Sequence, residues 1–138
     1  MSKKEVVANI SQLRGAFKKH GNKKLPKDTD SEHLLRFYAN ECGLKAMFIR
    51  ENRLNDTSDF LNFFEHNLGK RDKKYGHGHN LIMWINEIKA PTFVVDYNDS
   101  PTDPVEQAHE KLRYGVSVQT QQIEFLKTLY SVIKKHLL

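Results

Sequence analysis

The feature that most restricts the fold of this chain is a run over residues 31–54 whose apolar side chains occur on more than one helical stripe. These side chains are Leu34, Leu35, Phe37, Tyr38, Cys42, Leu44, Met47, Phe48 and Ile49. A surface helix shows a single apolar stripe, whereas a helix that is apolar on most sides is buried. The run is therefore predicted to be the central helix of a bundle, capped by Asp30 or Ser31.

The segments on either side carry single apolar stripes, as expected of helices that pack around a central one. The first predicted helix starts near Ser2, which forms a capping-box pattern with Glu5, and stops at Gly21. Its stripe consists of Val6, Ile10, Leu13 and Phe17. Four further helices are predicted. The first follows the capping residues 55–58 and ends at Gly69, the second ends before Pro91, the third spans residues 105–112, and the last starts near Thr120.

These patterns predict an all-α fold, in the form of an up-and-down helical bundle. A single domain is predicted over residues 1–138, with a short irregular segment around residues 90–104. The residues expected in or near the core are Tyr38, Cys42, Leu44, Trp84, Leu126, Tyr130 and Ile133.

The composition restricts the location and the partners. With 138 residues, 38% of them hydrophobic, the chain can bury a core without disulfides or a structural metal. The single cysteine, Cys42, builds no disulfide framework, so a reducing, cytoplasmic location is predicted, with Cys42 as a small core residue. A membrane-spanning helix needs about 18 consecutive apolar residues, and no run in this sequence is that long. No membrane association is therefore predicted.

The net charge of +5 suits an anionic partner. The basic residues fall in three clusters: Lys18, Lys19, Lys23, Lys24 and Lys27; Lys70, Arg71, Lys73 and Lys74; Lys134 and Lys135. If the first two clusters converge in space they form a patch that follows a phosphate backbone, and if they do not they are solvated faces. The acidic stretch Asp96 to Glu110 suits a self-complementary dimer or a basic partner, and could equally serve only solubility.

The loop RDKKYGHGHN, residues 71–80, has two glycines and precedes a predicted helix start. Both features favour an anion, so the loop is predicted to bind phosphate groups or an acidic partner surface without cutting either. The predicted anion-binding or nucleic-acid-binding residues are Lys70, Arg71, Lys73, Lys74, Tyr75, Lys23 and Lys24.

An alternative hypothesis makes Arg71 and His77 a catalytic pair. A guanidinium can hold a phosphate bidentately, and an imidazole can take the proton of a ribose 2′-hydroxyl. However, Arg14 and His20 have the same spacing, and such pairs occur about as often as chance predicts. A metal site at His77 and His79, with His66, is a weak pattern, so neither a metal nor a cofactor is predicted.

Three segments resemble the HEPN (higher eukaryotes and prokaryotes nucleotide-binding) family over about residues 31–138. LLRFYANECGLKAMFI, residues 34–49, resembles its second helix through Tyr38-Ala39, Glu41 and Leu44-Lys45-Ala46. GHNLIMWINEI, residues 78–88, resembles its histidine-led helix, which here starts at His79-Asn80-Leu81. LRYGVSVQTQQIEFLKTLYSVIKKHL, residues 112–137, resembles its closing Arg-Tyr pair and long helix.

The resemblance implies a helical bundle that is commonly dimeric. Many members are metal-independent ribonucleases that use an arginine and a histidine with four to six residues between them, and others are binding modules. Members of both kinds belong to toxin–antitoxin and phage-defence systems. The family's arginine corresponds to Arg113, which is followed at that spacing by Val118, Gln119 and Thr120 and by no histidine.

The resemblance therefore implies a non-catalytic HEPN-like module in a protein or protein–nucleic acid complex of a bacterial or phage defence or toxin–antitoxin system. The expected partners are a protein or a second copy of the chain, with RNA or DNA bound through the basic clusters. The alternative is a metal-independent HEPN-type endoribonuclease that uses Arg71 and His77.

Overall fold

The computed structural model describes residues 7–22, 29–68, 81–90, 93 and 107–137. Within these ranges it contains six α-helices: α1 (Ile10–Asn22), α2 (Asp30–Asn52), α3 (Phe60–Leu68), α4 (Leu81–Glu87), α5 (Ala108–Arg113) and α6 (Thr120–Leu137). A 3-10 turn, Thr57–Asp59, leads into α3, and the only β feature in the described part is an isolated bridge between Asn9 and Asp56. The prediction of an all-α fold is confirmed.

Helix α2 is the central helix, as its apolar residues predicted. It packs against α1, α4, α5 and α6. Its cap is Thr29, and not Asp30 or Ser31 as predicted, and the Thr29 hydroxyl accepts a hydrogen bond from the Glu32 amide at 3.3 Å. The helix ends at Arg53, whose left-handed backbone (φ 54°) stops the helical hydrogen-bond pattern.

A hydrophobic core of buried side chains draws on every helix. Of the predicted core residues, Leu44, Trp84, Leu126 and Ile133 are buried. The other three, Tyr38, Cys42 and Tyr130, are half-buried and packed against this core, so the prediction is confirmed.

Helices α1 and α6 meet side by side on α2 at Gly43. A β-carbon at this position would lie 2.5 Å from Cγ2 of Ile133 and 2.9 Å from Cδ2 of Phe17. One turn earlier, the buried Asn40 amide donates a hydrogen bond to the Leu126 carbonyl at 3.0 Å. The absence of a side chain at Gly43 therefore allows both neighbouring helices to approach α2 closely.

The start of the first helix differs from the prediction, which placed it near Ser2. Residues 7–9 are not helical, because the Ala8 amide donates to the Thr57 hydroxyl at 3.0 Å and the Ala8 carbonyl accepts from the Thr57 amide at 2.8 Å. Asn9 and Gln12 then cap each other's backbone amides at 2.9 Å. This reciprocal cap starts α1 at Ile10, and the helix continues past the predicted stop at Gly21.

The last two helices follow the predicted pattern. Helix α5 starts at Ala108, within the predicted 105–112 region, and α6 starts at Thr120 as predicted. Of the predicted irregular segment around 90–104, the structure describes only Ala90 and Phe93. The rest of that prediction lies outside the described residues.

Candidate anion-binding face

The site residues predicted from the sequence all lie outside the described residues, so these assignments stay predictions. They are the alternative catalytic pair Arg71 and His77, and the anion-binding set Lys70, Lys73, Lys74, Tyr75, Lys23 and Lys24. The histidines considered for a metal also fall there, apart from the backbone of His66. The described part of the chain contains a different basic surface, formed by α1 and α6.

Helix α1 contributes one side of this surface. Arg14, Lys18 and Gly21 are spaced i, i+4 and i+7 and therefore lie on one face of the helix. Gly21 lies directly against the hydroxyl of Tyr130, so this face of α1 is the one next to α6. Helix α1 contains no acidic residue, and both Arg14 and Lys18 are exposed.

Helix α6 contributes the other side. Lys127, Tyr130 and Lys134 are spaced i, i+3 and i+7 and share the face of α6 that meets α1. The Tyr130 ring stacks on Phe17 of α1 with the centroids 4.9 Å apart and the planes at 29°. The single acidic residue of α6, Glu124, forms an exposed ion pair with Lys127 at 3.8 Å.

Together, Arg14, Lys18, Lys127, Tyr130 and Lys134 define what we call the α1–α6 face. Four cations share the helix faces on which this tyrosine lies, and the tyrosine is held by its ring stack with Phe17. Within the described part of the chain, Arg14, Lys18 and Lys134 form no ion pair. Their charges are therefore directed at solvent and available to a polyanion.

The α1–α6 face joins members of two basic clusters that are far apart in the sequence. Phe17 and Ile133, the neighbours of Lys18 and Lys134, both lie against Gly43. The basic cluster at residues 70–74 lies outside the described residues. Sequence reasoning missed the face because helical spacing identifies the faces of α1 and α6 singly, and only their packing on α2 brings those faces together.

Arg113, to which the resemblance assigned the HEPN arginine, lies at the end of α5. Its guanidinium donates a hydrogen bond to the Tyr38 hydroxyl at 3.0 Å. This bond to Tyr38 is the largest cause that raises the pKa of the exposed Arg113 above its usual value, with a further effect of the neighbouring Tyr114. One turn earlier, the His109 ring packs on Phe37 with the centroids 5.4 Å apart. Arg113 is therefore a cation positioned by the Tyr38 phenol.

Cys42 is half-buried on α2, and its surroundings keep the thiol protonated. Burial is the largest cause and the Glu41 carboxylate the next, and together they raise the pKa of Cys42 from 9.0 to about 11, against the opposing effect of Lys45. A thiol with such a pKa is a poor nucleophile near neutral pH. The arrangement supports the prediction that Cys42 is a core residue.

We expect Cys42 to be alkylated about a hundredfold more slowly in the folded protein than in the unfolded chain at pH 8. The pKa of about 11 against 9.0 lowers the thiolate fraction by about that factor. Mass spectrometry of iodoacetamide adducts, with and without urea, measures the two rates. Equal rates would contradict this account of the thiol. Because burial raises the pKa of Cys42, the neutral thiol favours the folded state. This contribution to the free energy of unfolding is complete below pH 9 and is lost as the pH rises towards 11.

Among the described residues, no three histidine, cysteine, aspartate or glutamate side chains come together as a metal site. No helix in the same part of the chain combines the length and apolar character needed to cross a membrane. In the comparisons with known proteins, no family model, curated protein or solved structure matches this chain.

Proposed function

We propose that this protein is a non-catalytic, HEPN-like helical module that binds the phosphate backbone of a nucleic acid as part of a larger complex. The observation that carries the proposal is the α1–α6 face. Four cations lie on the adjoining faces of two helices that contain one acidic residue between them.

The physical basis is electrostatic. Lysine and arginine side chains that neutralise phosphates release condensed counterions, and this release drives binding without regard to base sequence. Arg14, Lys18 and Lys134 are exposed and form no ion pair within the described part of the chain, so binding a phosphate need not break an existing pair at these residues. Tyr130 is held against Phe17, which keeps the two helices in register beneath the charges.

The predicted residues outside the described part enter the proposal as extensions of this surface. Lys23 and Lys24 directly follow the last residue of α1 in the chain. The loop from Lys70 to Tyr75 adds further cations. We propose that both segments contact the same polyanion.

The biological setting is proposed from the family resemblance alone and is an analogy. It assigns the module to a bacterial or phage defence or toxin–antitoxin complex, in which a partner protein supplies any catalytic activity. A pull-down from cells, followed by mass spectrometry, tests this part. Recovery of the protein without any such partner would argue against it.

Single substitutions Lys18→Gln and Lys134→Gln should each weaken the binding of RNA or DNA and reduce its dependence on salt. The plot of log affinity against log salt should become shallower by about 0.7–0.9 for each phosphate that the variant no longer neutralises. Fluorescence anisotropy with a labelled oligonucleotide at several salt concentrations measures both quantities.

The matched control is Lys89→Gln, which removes the same charge from an exposed lysine just beyond α4. This change should leave the salt slope unaltered, because Lys89 is not on the α1–α6 face. If all three variants bind nucleic acid as the parent does at every salt concentration, the proposal is wrong.

Incubation of the purified protein with RNA in the presence of a chelator tests the non-catalytic part of the proposal. We expect no cleavage. Cleavage that is abolished in both Arg71→Ala and His77→Ala would instead establish the metal-independent endoribonuclease.

A further inference from the structure

The α1–α6 face carries its cations in two rows, one on each helix. The α1 row is Arg14 and Lys18, one turn apart, and the α6 row is Lys127 and Lys134, two turns apart. The side chain of Tyr130 spans the gap between the helices, which sets the two rows about 10 Å apart. A phosphate chain that follows one row therefore leaves the other row without a phosphate.

Neither helix offers a ring on which a nucleobase can stack. The phenylalanine and tyrosine residues of α1 and α6 are Phe17, Phe125 and Tyr130, and these helices contain no tryptophan. Phe17 and Phe125 are buried in the core. The half-buried Tyr130 is stacked on Phe17, and its hydroxyl lies against Gly21. Tyr130 is therefore a contact between the two helices, and the face presents charge to a nucleic acid.

Single-stranded and double-stranded nucleic acids require different protein surfaces. Proteins that bind single strands stack the bases on aromatic side chains, and each stacked base contributes about fivefold or more to the affinity. A duplex keeps its bases inside and offers two rows of phosphates, one on either side of grooves that are about 6–12 Å wide in B-DNA. Two rows of cations about 10 Å apart, without a stacking ring, match the duplex.

Counterion release favours the duplex as well. The slope of log affinity against log salt is about 0.9 for each neutralised phosphate of a duplex and about 0.7 for one of a single strand. Arg14, Lys18 and Lys134 are exposed and form no ion pair within the described part of the chain. Three such contacts give the duplex an advantage of about fourfold for every tenfold reduction in salt. No base stacking on α1 or α6 offsets this advantage.

We propose that the α1–α6 face selects double-stranded nucleic acid over single strands. The α1 row binds the phosphates of one strand, and the α6 row binds those of the other strand across a groove. The two phosphate rows are the feature that is recognised, and duplex DNA and duplex RNA share it. This preference rests on the proposed function, because a protein that binds no nucleic acid has no preference between its forms.

Fluorescence anisotropy with four labelled probes tests the preference. The probes are a DNA duplex, an RNA duplex of the same sequence, one separated strand of each, and they are compared with unstructured oligothymidine. At low salt we expect the duplexes to bind about fourfold or more tightly than the single strands, and this advantage should shrink as the salt concentration rises. The duplex with the higher affinity shows whether DNA or RNA is the better ligand.

Two results would contradict the proposal, and they are distinguishable. A single strand that binds as tightly as the duplexes at low salt would overturn the duplex preference and leave the proposed function standing. Failure of every probe to bind would overturn both.

Ser131→Trp supplies the ring that the face lacks. Ser131 is exposed on α6, one turn from both Lys127 and Lys134. This change should strengthen the binding of oligothymidine by about fivefold or more and leave duplex binding nearly unchanged. Thr128→Trp is the control, because it adds the same ring to an exposed position on a different side of α6, and it should alter neither affinity.

Circular dichroism checks that both tryptophan variants keep the helical fold of the parent. If Ser131→Trp leaves the binding of oligothymidine as weak as in the parent, the missing ring is not the reason for the duplex preference and the proposal is wrong.

Discussion

Replacement of Trp84 by alanine is expected to lower the free energy of unfolding by about 3–5 kcal/mol, the range for removing a large aromatic side chain from a core. Trp84 is fully buried and joins three helices. Its ring lies 4.8 Å from Phe60, 5.8 Å from Phe64 and 5.3 Å from Phe48, centroid to centroid. The change removes the aromatic contacts of α4 with both α2 and α3.

Urea denaturation followed by far-UV circular dichroism measures the loss. Since domains of this size are stable by about 5–15 kcal/mol, a loss of this magnitude leaves the variant marginally folded. Trp84→Phe should cost less, because it keeps a ring in place and removes an indole N–H that has no hydrogen-bond acceptor in the described part of the chain.

The control for Trp84→Ala is Leu61→Ala on α3, where the side chain is 42% exposed. We expect it to change the free energy of unfolding by no more than about 1 kcal/mol, because little apolar surface leaves the core. Equal losses for the two variants would show that the aromatic cluster does not hold α4 in place.

The second large effect is expected at Gly43, where alanine should lower the free energy of unfolding by about 1–3 kcal/mol, the usual cost of overpacking a core. Its β-carbon would lie 2.5 Å from Ile133 and 2.9 Å from Phe17, both fully buried. Neither side chain can move outward without separating α1 or α6 from α2.

Gly15 provides the control, because the same substitution by alanine is expected there to raise the free energy of unfolding instead of lowering it. It lies in the middle of α1, and a β-carbon there has no neighbour within 4 Å. Gly15→Ala should therefore raise the free energy of unfolding by about 0.5–1 kcal/mol through helix propensity. Chemical denaturation of the two variants side by side tests the pair. Stabilisation by both changes would mean that α1, α2 and α6 do not meet at Gly43.

The elements that could be predicted from the sequence are those controlled by local interactions. Apolar periodicity located α2 and α6 because each turn of a helix repeats the same geometry. In the structure, Glu41 and Lys45 on α2 are spaced i, i+4 and lie 3.7 Å apart in a partly buried position, with Lys45 over the Trp84 ring. The start of α1 was mispredicted, because Thr57 binds Ala8 and prevents the helix from extending towards the N-terminus.

The candidate site, like the fold, was predictable from the sequence only in its local features. The spacing of charged residues identified Lys18 of α1 and Lys134 of α6 as members of basic clusters, and this needed only the sequence, whereas Arg14 and Lys127 were in no predicted cluster. Their union in one face required the contacts of Phe17 with Tyr130 and of both helices with Gly43. Likewise, no pattern within α5 links Arg113 to Tyr38, which lies 75 positions earlier in the chain. Helical periodicity acts over a few residues, so it determines which side chains share a helix face. Which faces then meet depends on how helices approach one another, and here that approach is set by Gly43 and the rings packed around it.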